Sequence, residues 1–311
     1  MASAGYWGKL PTFPDFVKHN SGSDEVQDFD KWLNEGMYSA RQKFMFDWDQ
    51  VYLNSGSYNF IFPYGTKILT GVIFPGKDKS RRLSPFTRFL LAENGSGLKT
   101  HLFPLYYSGF YENFTLFLSD ALSCSTNEEI AGKSNNIPVL DETESGIKEA
   151  DYFNFLYSAK TGSISKVNQS SLIILFYNLI SVLASFNSLS PGEFKLGLRF
   201  PVPGNNFSMV CFWLQCTLII AGTDKLPYLF WSTEEESGGY CYLFLRKPGT
   251  HFFPVLLKPG LEQDDIVKLD TEGNIEKAKN NIHNDLLAIL ENPDSPLVNI
   301  IQFLTNKFSM E

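Results

Sequence analysis

Histidine and cysteine are scarce, with four of each in 311 residues. His19, His101, His251 and His283 form no His-Glu-x-x-His pair, so the helical zinc-hydrolase arrangement, with two imidazoles one turn apart, is excluded. Cys124, Cys211, Cys216 and Cys241 form no Cys-x-x-Cys and stand at no zinc-finger spacing from a histidine. They read as reduced, mostly buried thiols. No Gly-x-Ser-x-Gly elbow is present, and the acidic run Glu234–Glu236 lacks the alternating Asp frame of a calcium loop. No metal or cofactor is expected.

Long apolar runs are missing too. The longest, Leu172–Phe186, is interrupted by Asn178, Ser181 and Ser185, and it falls short of the ~20 residues a spanning helix needs. Met209–Ala221 is shorter and carries Gln215. Met1–Lys9 has no basic start leading into an apolar stretch, so no signal peptide is expected. These features predict a soluble chain with no membrane span. Excess positive charge is absent as well: the net charge is −8 and the isoelectric point about 5.1. An acidic surface repels phosphate backbones, so nucleic acid is not an expected partner.

What is abundant is aromatic side chain. Rings make up 15% of the residues, with 28 Phe and 14 Tyr, in a chain that is 43% hydrophobic and 19% charged. That is globular composition with a ring-rich core. Val26, Phe29, Trp32, Leu33 and Met37 recur at helical spacing behind Ser23-Asp24-Glu25, a capping residue followed by acids at the positive helix end. Phe44–Leu53 also reads as helix. Ser57–Phe62, Lys67–Phe74, Phe86–Ala92 and His101–Tyr107 read as strands, with turn signals at Pro63-Tyr64-Gly65 and Asn94–Gly97. Tyr111–Asp120 fits strand or helix, with helix favoured in its second half, and Tyr152–Tyr157 is ambiguous. Ser170–Phe186 is the strongest helix, ending at Pro191-Gly192. Lys195–Phe200 is a strand before Pro201–Gly204, and Met209–Ala221 is a helix. Tyr228–Ser232 and Tyr240–Arg246 form a hairpin with an acidic tip, and Asn281–Leu290 and Pro296–Phe303 are terminal helices.

Strands and helices interleave without a regular βαβ alternation. The predicted fold class is α/β, a three-layer-like mixed, largely antiparallel sheet flanked by helices. The expected organisation is a first domain over 1–122, a polar linker or surface excursion over 123–150, and a C-terminal α/β region over 151–311 that packs on or completes the first.

Gly71-Val72-Ile73-Phe74-Pro75-Gly76-Lys77-Asp78 nearly matches a phosphate-binding loop. Asp78 replaces the magnesium-binding hydroxyl, Pro75 removes a needed N–H, and Pro85 limits the helix that should follow. Nucleotide binding is therefore rejected. Lys77, Lys79, Arg81, Arg82 and Arg88 form a local reversal of sign on an acidic chain. They read either as a solvated loop or as a docking patch for an acidic or phosphorylated partner.

Gly5-Tyr6-Trp7-Gly8-Lys9-Leu10-Pro11, then Asp15-Phe16-Val17, Trp32-Leu33 and Gly36-Met37 resemble the opening of TagF-family proteins. Gly71–Pro75, Asp78, Arg82 and Ser84-Pro85-Phe86 continue the pattern. Leu198–Pro201, Phe212–Leu214 and Leu229–Ser232 follow in the family's order. Pro14 stands where the family has glycine, and the chain from Tyr240 onward departs from it.

The resemblance implies a three-layer α/β fold and a cytoplasmic, non-enzymatic, post-translational repressor of bacterial type VI secretion. It further implies binding to an assembly component such as a forkhead-associated scaffold protein. Tyr6, Trp7, Lys9, Asp15, Phe16, Trp32, Asp78, Arg81 and Arg82 are the candidate motif or partner-binding residues, with Phe13 beside them. The competing expectations are a structural subunit of the secretion apparatus and a hydrolase assembled from His251, Asp120 and a cysteine or serine.

Overall fold

The computed structural model describes residues 3–93, 98–134, 142–164, 169–186, 196–202, 206–232, 239–270 and 273–308. Strands β1 (Ser3–Gly8), β2 (Val17–His19), β3 (Tyr58–Tyr64), β4 (Lys67–Phe74), β5 (Phe86–Glu93), β6 (Gly197–Val202), β7 (Tyr228–Ser232), β8 (Gly239–Phe244) and β9 (Ile266–Lys268) form one sheet. Its order is β2-β1-β5-β4-β3-β7-β8-β6-β9. Every neighbouring pair is antiparallel except β6 with β9.

Successive strand side chains point to opposite faces, and both faces are covered. On one face lie α1 (Asp24–Phe44), α2 (Trp48–Leu53) and α10 (Phe253–Leu257). They close over Trp7, Phe60, Phe62, Leu69, Phe89, Phe230 and Phe244. The opposite face carries α3 (Phe103–Tyr106), α4 (Ser108–Glu112), α5 (Phe114–Ser123), α6 (Asn127–Ser134), α7 (Glu142–Ser158), α8 (Gln169–Phe186), α9 (Phe207–Ala221), α11 (Ile275–Asn281), α12 (Asn284–Glu291) and α13 (Leu297–Phe308). α4, α5, α6 and α9 reach the sheet face that carries Tyr6, Ile61, Val72, Phe86, Leu90, Phe200, Trp231 and Leu243, while α11, α12 and α13 pack on α7, α8 and α9. The expected helix–sheet–helix layering is therefore present.

α1 starts as its sequence requires: the Ser23 hydroxyl accepts from the Val26 N–H, and Asp24 and Glu25 occupy the first turn. Its buried stripe is Val26, Phe29, Trp32, Leu33, Gly36 and Ala40. Trp32 stacks between Phe29 and Phe230, at centroid distances of 5.8 and 5.4 Å, and its indole N–H donates to the Pro248 carbonyl at 2.9 Å. Met209–Ala221 is helical, as expected, within α9. The Asn206 side chain caps it by accepting from the Met209 N–H at 2.9 Å.

Several expectations are corrected. His101–Tyr107 is helical, a 3-10 turn running into α3 with Pro104 at its start. A proline there loses no hydrogen bond, because first-turn N–H groups have no partner within the helix. Tyr111–Asp120 is helical from end to end, apart from the α4–α5 junction at Asn113, and Tyr152–Tyr157 lies inside α7. The polar stretch Ser123–Ile147 carries α6 and the opening of α7. β2 and β9 span three residues each, too short to display an alternation. The signals at Asn94–Gly97, Pro191-Gly192, Pro203-Gly204 and the acidic hairpin tip Glu234–Gly238 lie outside the described residues. Among the described residues, no helix is long and apolar enough to cross a membrane.

Candidate functional site

The sequence-predicted residues converge where β1 leaves the sheet and meets the loop between β4 and β5. Gly8 ends β1 at φ 134°, and a Cβ there would lie 2.1 Å from the Pro85 carbonyl oxygen. Only glycine fits that left-handed conformation and contact. The turn delivers Lys9 to the loop, where its ammonium lies 3.0 Å from Asp78 Oδ2. Arg82 Nε donates to the same oxygen at 2.6 Å, and the Arg82 backbone N–H donates to Asp78 Oδ1 at 2.9 Å. The Asp78 side chain is fully shielded from solvent. Burial alone raises its carboxyl, but the Arg82 N–H, Lys9 and the Arg82 guanidinium outweigh it and hold it down at about 2.

The clamp fixes the loop at both ends. Asp78 N–H donates to the Arg82 carbonyl at 3.1 Å, Ser84 N–H to Gly76 at 3.1 Å and Lys79 N–H to Phe13 at 2.8 Å. Arg82 Nη2 donates to the Pro14 carbonyl at 2.7 Å and lies 3.8 Å from the exposed Asp15 carboxylate. Arg81 sits at the bend with φ 64°, a strained conformation for a side chain of its size. Its N–H donates to the Asp78 carbonyl at 2.9 Å. The loop runs from strand to strand with no helix behind it, which is the geometry that rejecting a phosphate-binding loop implied.

The rings divide between core and surface. Tyr6 and Trp32 are buried, and so is Trp7, whose indole N–H donates to Asp30 Oδ1 at 2.8 Å. Burial pushes the Asp30 carboxyl up against the opposing effect of that bond. Phe13 is half-buried. Phe16 is 51% exposed and lies under the Lys9 ammonium, 5.0 Å from its ring centre. Of the five basic residues in the cluster, Arg88 is separate: it is fully buried on β5 against α4 and α5, beneath the rings of Phe110 and Phe117. Period-two alternation, which turns it inward from β5, is the signal that separates it from its neighbours.

Sequence reasoning missed Tyr38, Arg41, Met45 and Phe46. Tyr38 and Met45 are each 67% exposed and Phe46 is 99% exposed, around the turn from α1 to α2. Tyr38 and Arg41 share a groove of about 520 Å³ with Arg81 and Arg82. The available signal was a Met-Phe pair directly after the basic last turn of a capped helix.

Of the groups proposed for a hydrolase, Cys124 Sγ donates to the Asp120 backbone carbonyl at 3.2 Å, but His251 and the Asp120 carboxylate have separate partners. His251 Nε2 lies 2.5 Å from Asp265, while Asp120 lies 3.6 Å from Lys133. All four cysteines are buried, and burial raises each thiol above its ordinary value.

Comparison with known families agrees with this geometry. Residues 5–130 match the TagF N-terminal domain, which is type VI secretion system-associated. The chain carries a TagF N-terminal domain. The TagF match contains the whole Lys9–Asp78–Arg82 clamp and both walls of the groove beside it. It ends inside α6, while β6 to β9, which lie beyond it, extend the same sheet. Among solved structures, the crystal structure of PA0076 from Pseudomonas aeruginosa PAO1 is similar over 84% of this chain and 96% of that one, at 17% identity and a TM-score of 0.50, a likeness of fold. No curated protein matches the chain.

Proposed function

We propose that this TagF-family chain is a cytoplasmic, non-enzymatic repressor of type VI secretion. It acts by stoichiometric binding to an assembly component, with a forkhead-associated scaffold protein as the candidate partner. The observation that carries the reading is the division of labour inside the matched domain. Its charged motif residues Lys9, Asp78 and Arg82 are paired around a loop, while Phe16, Tyr38 and Phe46 stand exposed nearby in sequence. Exposed rings and arginines are the residue types that dominate binding energy at protein interfaces. A buried carboxylate held down by two cations is a poor proton donor or acceptor near neutral pH, which supports a structural role for Asp78.

The test is export of the secretion tube protein in the native host. Deleting the gene should raise export and overproduction should lower it. Loss of export on deletion would replace the repressor with a required subunit, and no change in either strain would end the family-based reading.

A further inference from the structure

We propose that the groove between α1, α2 and the 77–84 loop is the docking site for an Asp/Glu-rich segment of a partner protein. This rests on the partner-binding reading above and names the surface and the chemistry it selects. Within a largely polar lining the groove has an apolar part, made by the buried Trp48 and the half-buried Met37 and Leu83. Arg41 from α1 and Arg81 and Arg82 from the loop line it. Among the described residues Arg41 and Arg81 form no ion pair, and both are exposed. Asp49 adds one opposing charge, leaving the groove positive on a chain whose net charge is −8.

Arg81 owes its position to the clamp. Its left-handed φ of 64° would relax in a free loop, but Asp78 accepts its N–H, and Lys9 and Arg82 hold Asp78. Strain kept in place by a buried ion cluster fixes where a guanidinium emerges. The occupant follows from charge complementarity and shape. Guanidiniums pair with carboxylates in a planar, two-pronged fashion, and the apolar part made by Trp, Met and Leu accepts apolar side chains between them. Exposed Met45 and Phe46 extend the apolar surface along the turn joining the two helical walls. A groove, unlike a flat face, favours an extended polypeptide over a membrane surface.

The test uses the full chain and a short fluorescein-labelled peptide repeating Glu-Glu-Phe, with Gln-Gln-Phe and phosphoserine-containing counterparts. Fluorescence anisotropy should show saturable binding of the acidic peptide that weakens as salt rises. The neutral peptide should bind about tenfold or more weakly, and R41E/R81E should cost a similar factor. Asp49→Asn should tighten binding. Arg81→Gly suits the left-handed backbone, so it should fold at least as well as the wild type while binding more weakly, which separates binding from folding. Equal affinity for acidic and neutral peptides, or unchanged affinity in R41E/R81E, overturns the proposal. So does binding of the phosphoserine peptide alone, or of anionic phosphatidylglycerol vesicles in preference to peptide.

In the host, R41E/R81E should leave export at the level of the deletion strain. If deletion raises export but R41E/R81E restores full repression, the groove is wrong and the repressor reading stands. If deletion changes nothing, the repressor reading falls, and the peptide titration alone decides the groove.

Discussion

The carboxamide of Asn127 covers the free edge of the sheet at Lys18. Its Oδ1 accepts from the Lys18 N–H at 3.2 Å and its Nδ2 donates to the Lys18 carbonyl at 3.1 Å. Tyr6 on the adjacent strand donates its hydroxyl to the Asn127 backbone carbonyl at 2.9 Å. A side chain at the start of α6 thus takes the place of the next strand. Open edges otherwise recruit strands from other chains. Asn127→Ala should cost about 1–2 kcal/mol, the value of losing its two partly solvated hydrogen bonds to Lys18 and a shared one from Tyr6, and should increase self-association. Urea denaturation and light scattering across a concentration series check both effects; unchanged scattering would mean that other features protect this edge.

The Lys9–Asp78–Arg82 clamp predicts an acid-dependent stability. The folded carboxyl titrates at about 2 against an ordinary value of 3.8. The unfolded chain therefore takes up the proton first as pH falls. The stabilisation is complete above about pH 4 and is lost toward about pH 2. Asp78→Asn should lower Tm by several degrees at neutral pH, and its Tm should fall less steeply than that of the wild type through the acid window. Parallel Tm curves for the two proteins would show that the clamp contributes nothing to the acid transition. Lys9→Met should cost about 2–4 kcal/mol, since it leaves a buried carboxylate with one cation in place of two.

Arg88 is a buried cation that forms no ion pair among the described residues. Its Nη1 donates to Asn113 Oδ1 at 3.3 Å, Nε has no partner, and its guanidinium carbon lies 4.5 and 4.3 Å from the ring centres of Phe110 and Phe117. Burial lowers its pKa to about 10. Desolvating an ion costs several kcal/mol, and the two ring contacts return about 2 each. These terms nearly cancel, so Arg88→Met, similar in length and uncharged, should change stability by no more than about 1 kcal/mol. A loss above about 3 kcal/mol in chemical denaturation would give the ring contacts more weight than this balance allows.

Gly36 is placed by contact, despite its poor helix propensity. A Cβ there would lie 2.6 Å from Phe253 Cβ and 2.8 Å from its Cγ. In an exposed helix, Gly→Ala gains about 1 kcal/mol. Here overpacking against the base of a buried ring should dominate, and Gly36→Ala should lose about 1–3 kcal/mol. A thermal melt showing a gain would mean that α10 can shift to admit the methyl group.

The amino-acid sequence by itself determined the features set by near neighbours. Ser23 and the apolar spacing of Val26, Phe29 and Trp32 specify α1, because capping and helical periodicity act within a few residues. The short apolar run Lys67–Phe74 and the Pro63-Tyr64-Gly65 turn signal before it specify a hairpin for the same reason. The order of rare residues from Gly5 to Phe86 was enough to point to the TagF family.

Tertiary structure decided what depends on distant partners. Alternation along β5 sets the face on which Arg88 lies, but only the packing of α4 and α5 over that face buries it while Arg81 stays exposed. His101–Tyr107 has strand-like residues, yet it forms helix because Pro104 sits in a first turn and α9 buries its face. Lys9 and Asp78 became one buried pair only when β1 was set beside the β4–β5 loop. Long-range closure, and not local propensity, fixed whether each motif residue holds the fold together or remains free to meet a partner.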